Sequence, residues 1–159
     1  MEILLENARI TAATVVKHLE PYCTRIEVAG SIRRRRPVCH DVDIVLIIKP
    51  EALLTIDLAI AQMGQITKKG PWIQRVTLRT LQEVDLYFAT EESFGTLMLI
   101  RTGSEQNNIR LAKAALAKGW HLKASGEGLL DGDGLIIAQD ERSIYERLGE
   151  RYQQPWERN

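Results

Sequence analysis

Residues 41–48 read Asp-Val-Asp-Ile-Val-Leu-Ile-Ile, two carboxylates leading directly into an apolar run that predicts a strand. Side chains two apart on a strand leave the same face, so Asp41 and Asp43 project together, about 6–7 Å apart along the backbone. Asp85, within Glu-Val-Asp-Leu-Tyr-Phe-Ala, lies on a second predicted strand and joins them if the two strands are neighbours. Three carboxylates within ~5 Å repel by roughly 3 kcal/mol per pair at an effective dielectric of about 20. Such a cluster persists only where protons or cations neutralise it. Hard oxygen donors point to Mg²⁺ or Mn²⁺ rather than zinc, and two such ions about 3.5–4 Å apart suit phosphoryl transfer.

Ahead of the carboxylates stands Gly30-Ser31, followed by Arg33 to Arg36. A glycine lets a phosphate approach the backbone, the Ser31 hydroxyl and nearby N–H groups can donate to its oxygens, and Arg33 and Arg34 supply forked cationic donors. Singly these signals are ordinary: a D-x-D at a strand end, a turn, a solvated run of arginines. Their order, G-S-x-R-R, then D-x-D, then a distant strand aspartate, is specific.

The rest of the chain supplies a frame. Apolar residues at Ile10, Ala13, Val16 and Leu19 predict one face of a helix over 6–18, ended by Pro21. Strands are expected at 26–29, 65–67, 73–79 and 83–89, with Gly70-Pro71 as a turn, and a helix from Pro50-Glu51 to about Met63. A helix over 91–100 precedes one capped by Ser104 and stopped by Gly119, then short strands around the later glycines and a helix over 140–148. This order fits an α+β unit joined to a small C-terminal lobe near Thr102-Gly103. At 159 residues the chain buries about 70% of its unfolded surface, enough for a core without disulfides. Cys23 and Cys39 match no zinc pattern and read as free thiols of a reducing compartment. The apolar runs are too short to span a membrane and no secretion signal is visible.

Charge is zero overall but segregated. Residues 24–40 hold five arginines against Glu27, residues 65–79 hold Lys68, Lys69, Arg75 and Arg79 with no acid, and residues 101–123 hold five bases against Glu105. The tail after Lys123 carries eight acids and four arginines. Basic segments that converge would attract phosphates while the back of the molecule stays acidic; the plain alternative is solvated faces scattered around the surface.

The G-S-x-R-R, D-x-D and distant Asp arrangement resembles the nucleotidyltransferase palm of the X-family DNA polymerases. Arg-Thr-Gly-Ser (101–104), Asn108 and Gly119 resemble that family's C-terminal lobe, and the acidic helix, Leu148-Gly149, Tyr152 and Pro155-x-x-Arg158 resemble its ending. The resemblance runs from about Arg25 to Arg158 and implies an α+β fold. A palm, a mixed sheet with flanking helices, would occupy 1–100, and a small α/β thumb lobe that selects the nucleotide would occupy 101–159. It implies a minimal form without the N-terminal helical domains of longer members. Asp41 and Asp43 would bridge two metals, Mg²⁺ or Mn²⁺, and Asp85 would hold the catalytic ion and help deprotonate a primer 3′-hydroxyl. Gly30, Ser31 and Arg34 would bind the β- and γ-phosphates. Thr102 and Gly103 would shape the sugar pocket, Asn108 would reach the base edge and Glu105 would lie against the base. Four departures stand out: Ile100 and Arg101 replace an aromatic pair, Ala112 an arginine, Glu83 an arginine, and His40 a small residue.

The implied activity is DNA-directed nucleotidyl transfer from a nucleoside triphosphate to a primer 3′-hydroxyl, in short gap filling or end repair. Lys68, Arg75, Arg110 and Lys113 are expected along the DNA, a primer-template or gapped duplex, with the protein a monomer of the cytoplasm or nucleoid. Two other readings stay open: a minimal transferase that modifies a protein or small molecule, and a non-catalytic module that binds DNA ends.

Overall fold

The computed structural model describes residues 2–158. Strand β1 (Ile3–Leu4) and helix α1 (Leu5–Leu19) lead to β2 (Cys23–Val28), α2 (Gly30–Arg33), β3 (Val38–Cys39) and β4 (Val42–Ile48). Helix α3 (Ile56–Met63) precedes β5 (Gly64–Lys69), β6 (Ile73–Leu78) and β7 (Glu83–Phe88). Then come α4 (Phe94–Thr102), α5 (Glu105–Ala117), β8 (His121–Leu122), β9 (Leu129–Leu130), β10 (Ile136–Ala138) and α6 (Glu141–Leu148). No helix among the described residues is long and apolar enough to cross a membrane.

The main sheet has the order β2-β4-β7-β6-β5, antiparallel except for the parallel central pair β4–β7. Alternation along the central strands divides their side chains between two cores. Val42, Ile44 and Leu46, with Val84 and Leu86, pack under α1 and α3. Val45, Ile47 and Tyr87 face the other way, onto Phe94, Leu97 and Met98 of α4. Asp43 and Asp85 belong to this second set, so the carboxylates emerge on the α4 side where the apolar packing ends. A third core joins Leu99 of α4 to Leu111, Ala115, Leu129, Ile144 and Tyr145. Helix α4 thus contributes to the cores on both sides of it.

Most expected elements are present, with local differences. The buried stripe of α1 is Ala8, Ala12, Val15 and Leu19, not the one beginning at Ile10, which is exposed. Both sets have helical spacing; small alanines let the helix sit close to the sheet, which decides between them. The segment after Pro50 is a short 3₁₀ turn over Pro50–Ala52, and the helix begins only at Ile56. Asp41 lies just before β4 rather than on it. The expected Ser104 cap forms, its Oγ accepting from the Asn107 N–H at 3.3 Å; Asp140, expected inside the last helix, caps it instead, its Oδ1 accepting from the Ser143 N–H at 3.0 Å.

Candidate active site

The register of three adjacent strands builds the site. Asp43 pairs with Asp85 across the parallel β4–β7 ladder, and Asp85 pairs with Arg75 across the antiparallel β7–β6 ladder. Directly opposed residues share a face, so the three side chains stand abreast. Asp41, one alternation before Asp43, completes a group whose ligand oxygens, one from each of Asp41, Asp43 and Asp85, lie within 4.8 Å of one another. Burial, with Asp41 and Asp85 adding repulsion, raises the Asp43 carboxyl from 3.8 to about 7, although a hydrogen bond from Tyr87 pulls it down. Three hard oxygen donors at this spacing, one of them disfavoured as an anion on its own, fit a divalent ion such as Mg²⁺ or Mn²⁺.

Facing the group is the turn into α2. The Ala29 N–H donates to the Asp43 carbonyl at 2.8 Å, which fixes the turn to the strand. Gly30 has φ +60°, and a Cβ there would fall 1.9 Å from Asp43 Oδ2, so both backbone and space require glycine. Ser31 Oγ and Arg34 Nε are buried and, among the described residues, have no hydrogen-bond partner. Two orphaned donors beside a carboxylate group suit an anionic ligand carried together with its cations.

Arg33 and Arg34 also fasten this turn to the start of the C-terminal lobe. Arg34 Nη1 donates to the Thr102 carbonyl and Arg33 Nη1 to the Thr102 hydroxyl at 2.8 Å. Arg33 further forms a two-pronged pair with Glu141, at 2.5 and 3.2 Å. Arg158, fully buried, reaches the same carboxylate at 3.4 and 3.2 Å and lies near the Tyr145 and Tyr152 rings. Burial alone would raise the Glu141 carboxyl, but Arg33 and Arg158 outweigh it and hold its pKa below the usual value.

Of the residues expected at the nucleotide, Thr102 is buried within these contacts and Gly103, at φ +71°, follows it. Glu105 shares with Arg34 a cavity of about 240 Å³. Asn108 donates to the Ile100 carbonyl at 2.8 Å, leaving its buried Oδ1 without a partner among the described residues. Of those expected along DNA, Lys68 and Lys113 are exposed on β5 and α5. Arg110 is held by Glu150 and by Asn107 Oδ1 at 2.8 Å. Arg75 points into the carboxylate group, with its guanidinium on Asp85.

Two further residues contribute, Tyr87, not singled out from sequence, and Arg101, noted there only as a departure. The Tyr87 hydroxyl sits 3.2 Å from Asp43 Oδ1 and 3.3 Å from Asp85 Oδ2. Burial and the two aspartates push its pKa far up, so it stays a donor. Its position two after Asp85 was the available signal, since it must share that face. Arg101, one of the residues replacing an aromatic pair, lies with its guanidinium 4.3 Å from the Tyr87 ring centre. The Glu141–Arg158 pair had no comparable local signal. His40 is exposed, 4.0 Å from Glu2.

Residues 97–159 match the family model for the DNA polymerase beta thumb. No curated protein sequence matches the chain. The chain aligns with the crystal structure of Leishmania infantum polymerase beta in a ternary P/T complex at a TM-score of 0.86 and 20% identity, covering 100% of this chain and 77% of that one. The ternary gap complex of the same protein gives 0.86 and 19%, covering 100% of this chain and 71% of the other. At these identities the likeness shows a shared fold.

Proposed function

For a polymerase β-like chain with that fold and a matching thumb segment, we propose DNA-directed transfer of a nucleoside monophosphate from a triphosphate to a primer 3′-hydroxyl, with pyrophosphate as the leaving group. The observation that carries the proposal is the gathering of Asp41, Asp43 and Asp85 against the Gly30-Ser31 turn. The Leishmania structures, described as P/T and gap complexes, support DNA as the partner and short gap filling as the setting, with end repair the other setting this activity suits.

In this reading Asp41 and Asp43 hold two divalent ions, Mg²⁺ or Mn²⁺, and Asp85 completes the site for one of them. When bound, such ions neutralise the charge that develops as one phosphate oxygen bond forms and another breaks. Asp85 also accepts the proton of the attacking 3′-hydroxyl. Tyr87, always a donor, keeps the Asp43 and Asp85 oxygens turned toward each other. Gly30 leaves room beside Asp43 for the triphosphate, whose terminal oxygens take the Ser31 hydroxyl and the free Arg34 N–H. Thr102, Gly103, Glu105 and Asn108 line the sugar and base. Lys68 and Lys113 follow the DNA backbone, and positioning rather than covalent chemistry supplies the rate.

The test is a primer-extension panel of gapped, nicked, blunt and single-stranded DNA, with each nucleotide type, in Mg²⁺ and in Mn²⁺. Chelator-sensitive growth of the primer by single nucleotides is expected. Label entering a protein or small acceptor but not DNA would replace this reading with the minimal transferase, and DNA binding without turnover in either metal would reduce it to an end-binding module.

A further inference from the structure

Arg75 is expected from its surroundings in sequence to lie along a phosphate backbone, yet its donors are committed elsewhere. Nε donates to Asp85 Oδ1 at 2.6 Å and Nη2 to Asp85 Oδ2 at 2.7 Å, a two-pronged hold. Nη1 reaches Glu83 Oε2 at 3.4 Å, and Nη2 lies 3.9 Å from Asp41 Oδ2. The Asp85 side chain is only 5% exposed, whereas Arg75 and Glu83 are 34% and 45% exposed.

A carboxylate has about four acceptor positions. On Asp85, Arg75 occupies two and the Tyr87 hydroxyl, at 3.3 Å from Oδ2, a third. A divalent ion that uses Asp85 therefore meets a guanidinium already covering both oxygens. Two arriving ions also bring four positive charges to a group that carries three negative ones, so Arg75 becomes the repelled partner. Its nearest other anion is Glu83, two positions before Asp85 on the same face of β7 and already in contact with it.

We propose that Arg75 is the resident counter-cation of the carboxylate trio: it holds Asp85 in the metal-free protein, gives it up to divalent ions, and is then retained by Glu83. This rests on the two-ion reading above. It makes Arg75 a positioning residue whose hold must be released before each loading. It also gives the acidic residue at position 83 a use, as the second seat of the arginine.

Mn²⁺ binding, followed by electron paramagnetic resonance without nucleotide or DNA at constant pH and ionic strength, separates the possibilities. Arg75→Gln is expected to bind Mn²⁺ about tenfold more tightly than the unaltered protein, since a competing cation has been removed. Arg75→Lys keeps the charge but loses the two-pronged hold, and is expected to gain most of that affinity. Glu83→Gln is expected to bind severalfold more weakly, and its effect to shrink once Arg75 is also Gln. Weaker or unchanged binding by Arg75→Gln, or an Arg75→Lys variant identical to the starting protein, would overturn the proposal. Circular dichroism confirms that each variant is folded, and the lysine variant serves if the glutamine one is not. Failure of the unaltered protein to bind Mn²⁺ at all would overturn the two-ion reading itself.

Discussion

The two walls of the candidate site, the strand carboxylates and the Thr102 segment, are built by different means. On the sheet side, Asp43, Asp85 and Arg75 are placed by strand register, each opposite the next across a backbone ladder. On the lobe side, Thr102 is placed by arginine side chains that cross 68 and 69 residues of sequence. Arg33, in turn, is anchored through Glu141 to the buried Arg158 near the C-terminus. A ladder fixes position through many shared hydrogen bonds, so one side chain can change its chemistry without moving its neighbours. A buried ion network fixes position through a few charges, so losing one member leaves the rest uncompensated.

Changes on the two walls are therefore expected to fail differently. Asp85→Ala should lower primer extension by at least about a thousandfold, roughly 4 kcal/mol of barrier, while leaving DNA binding and folding intact. Gel-shift and extension assays on the same preparation check both halves. Arg158→Ala should instead act on stability, costing about 3–5 kcal/mol in urea unfolding, because Glu141 loses one of its two cations while remaining buried. Loss of activity without loss of stability in that variant would erase the distinction between the walls.

The sheet wall carries strain that pH exposes. Burial, with repulsion from Asp41 and Asp85, raises the Asp43 carboxyl from 3.8 to about 7. Below pH 4 it is protonated in both states and costs nothing. Between about pH 4 and 7 only the folded state keeps the proton, so stability from this group falls as pH rises, and above 7 the penalty is complete. Asp43→Asn cannot ionise, so it should be about 4 kcal/mol more stable than the unaltered protein at pH 8 and nearly equal at pH 4. Thermal melts across that range in a chelator check this, and saturating Mg²⁺ should reverse the order at pH 8. The smallest effect belongs to the exposed rim: Lys113→Ala should lower the salt slope of DNA binding by about 0.9, with extension at saturating DNA unchanged.

The same contrast explains what was legible in the sequence. The aspartates could be read because strand alternation is local: two positions apart means one face, and only the pairing of β4 with β7 was missing. The Gly30 turn was legible only from its place ahead of the arginines and the paired aspartates, and its closeness to Asp43 supplies the reason. Arg75 was misleading, since a basic segment reads as a DNA track until the register sets it opposite Asp85. Arg33 reads in sequence, like Arg34, as a donor to phosphate, and Pro155-x-x-Arg158 only as part of the resemblance. Neither carries a local sign that Glu141 is its partner, because that contact exists only once the lobe has folded back over α2. Ile10 shows the same limit in the core: periodicity identifies a helix, but packing chooses which stripe is buried.

Diffraction from crystals grown with Mn²⁺ and a non-hydrolysable nucleoside triphosphate, collected at the manganese absorption edge, addresses the catalytic centre directly. Two anomalous peaks flanked by oxygens of Asp41, Asp43 and Asp85, with the terminal phosphates against Gly30 and Ser31, are the predicted result. A bound triphosphate lying elsewhere, with no manganese at the three aspartates, would contradict it.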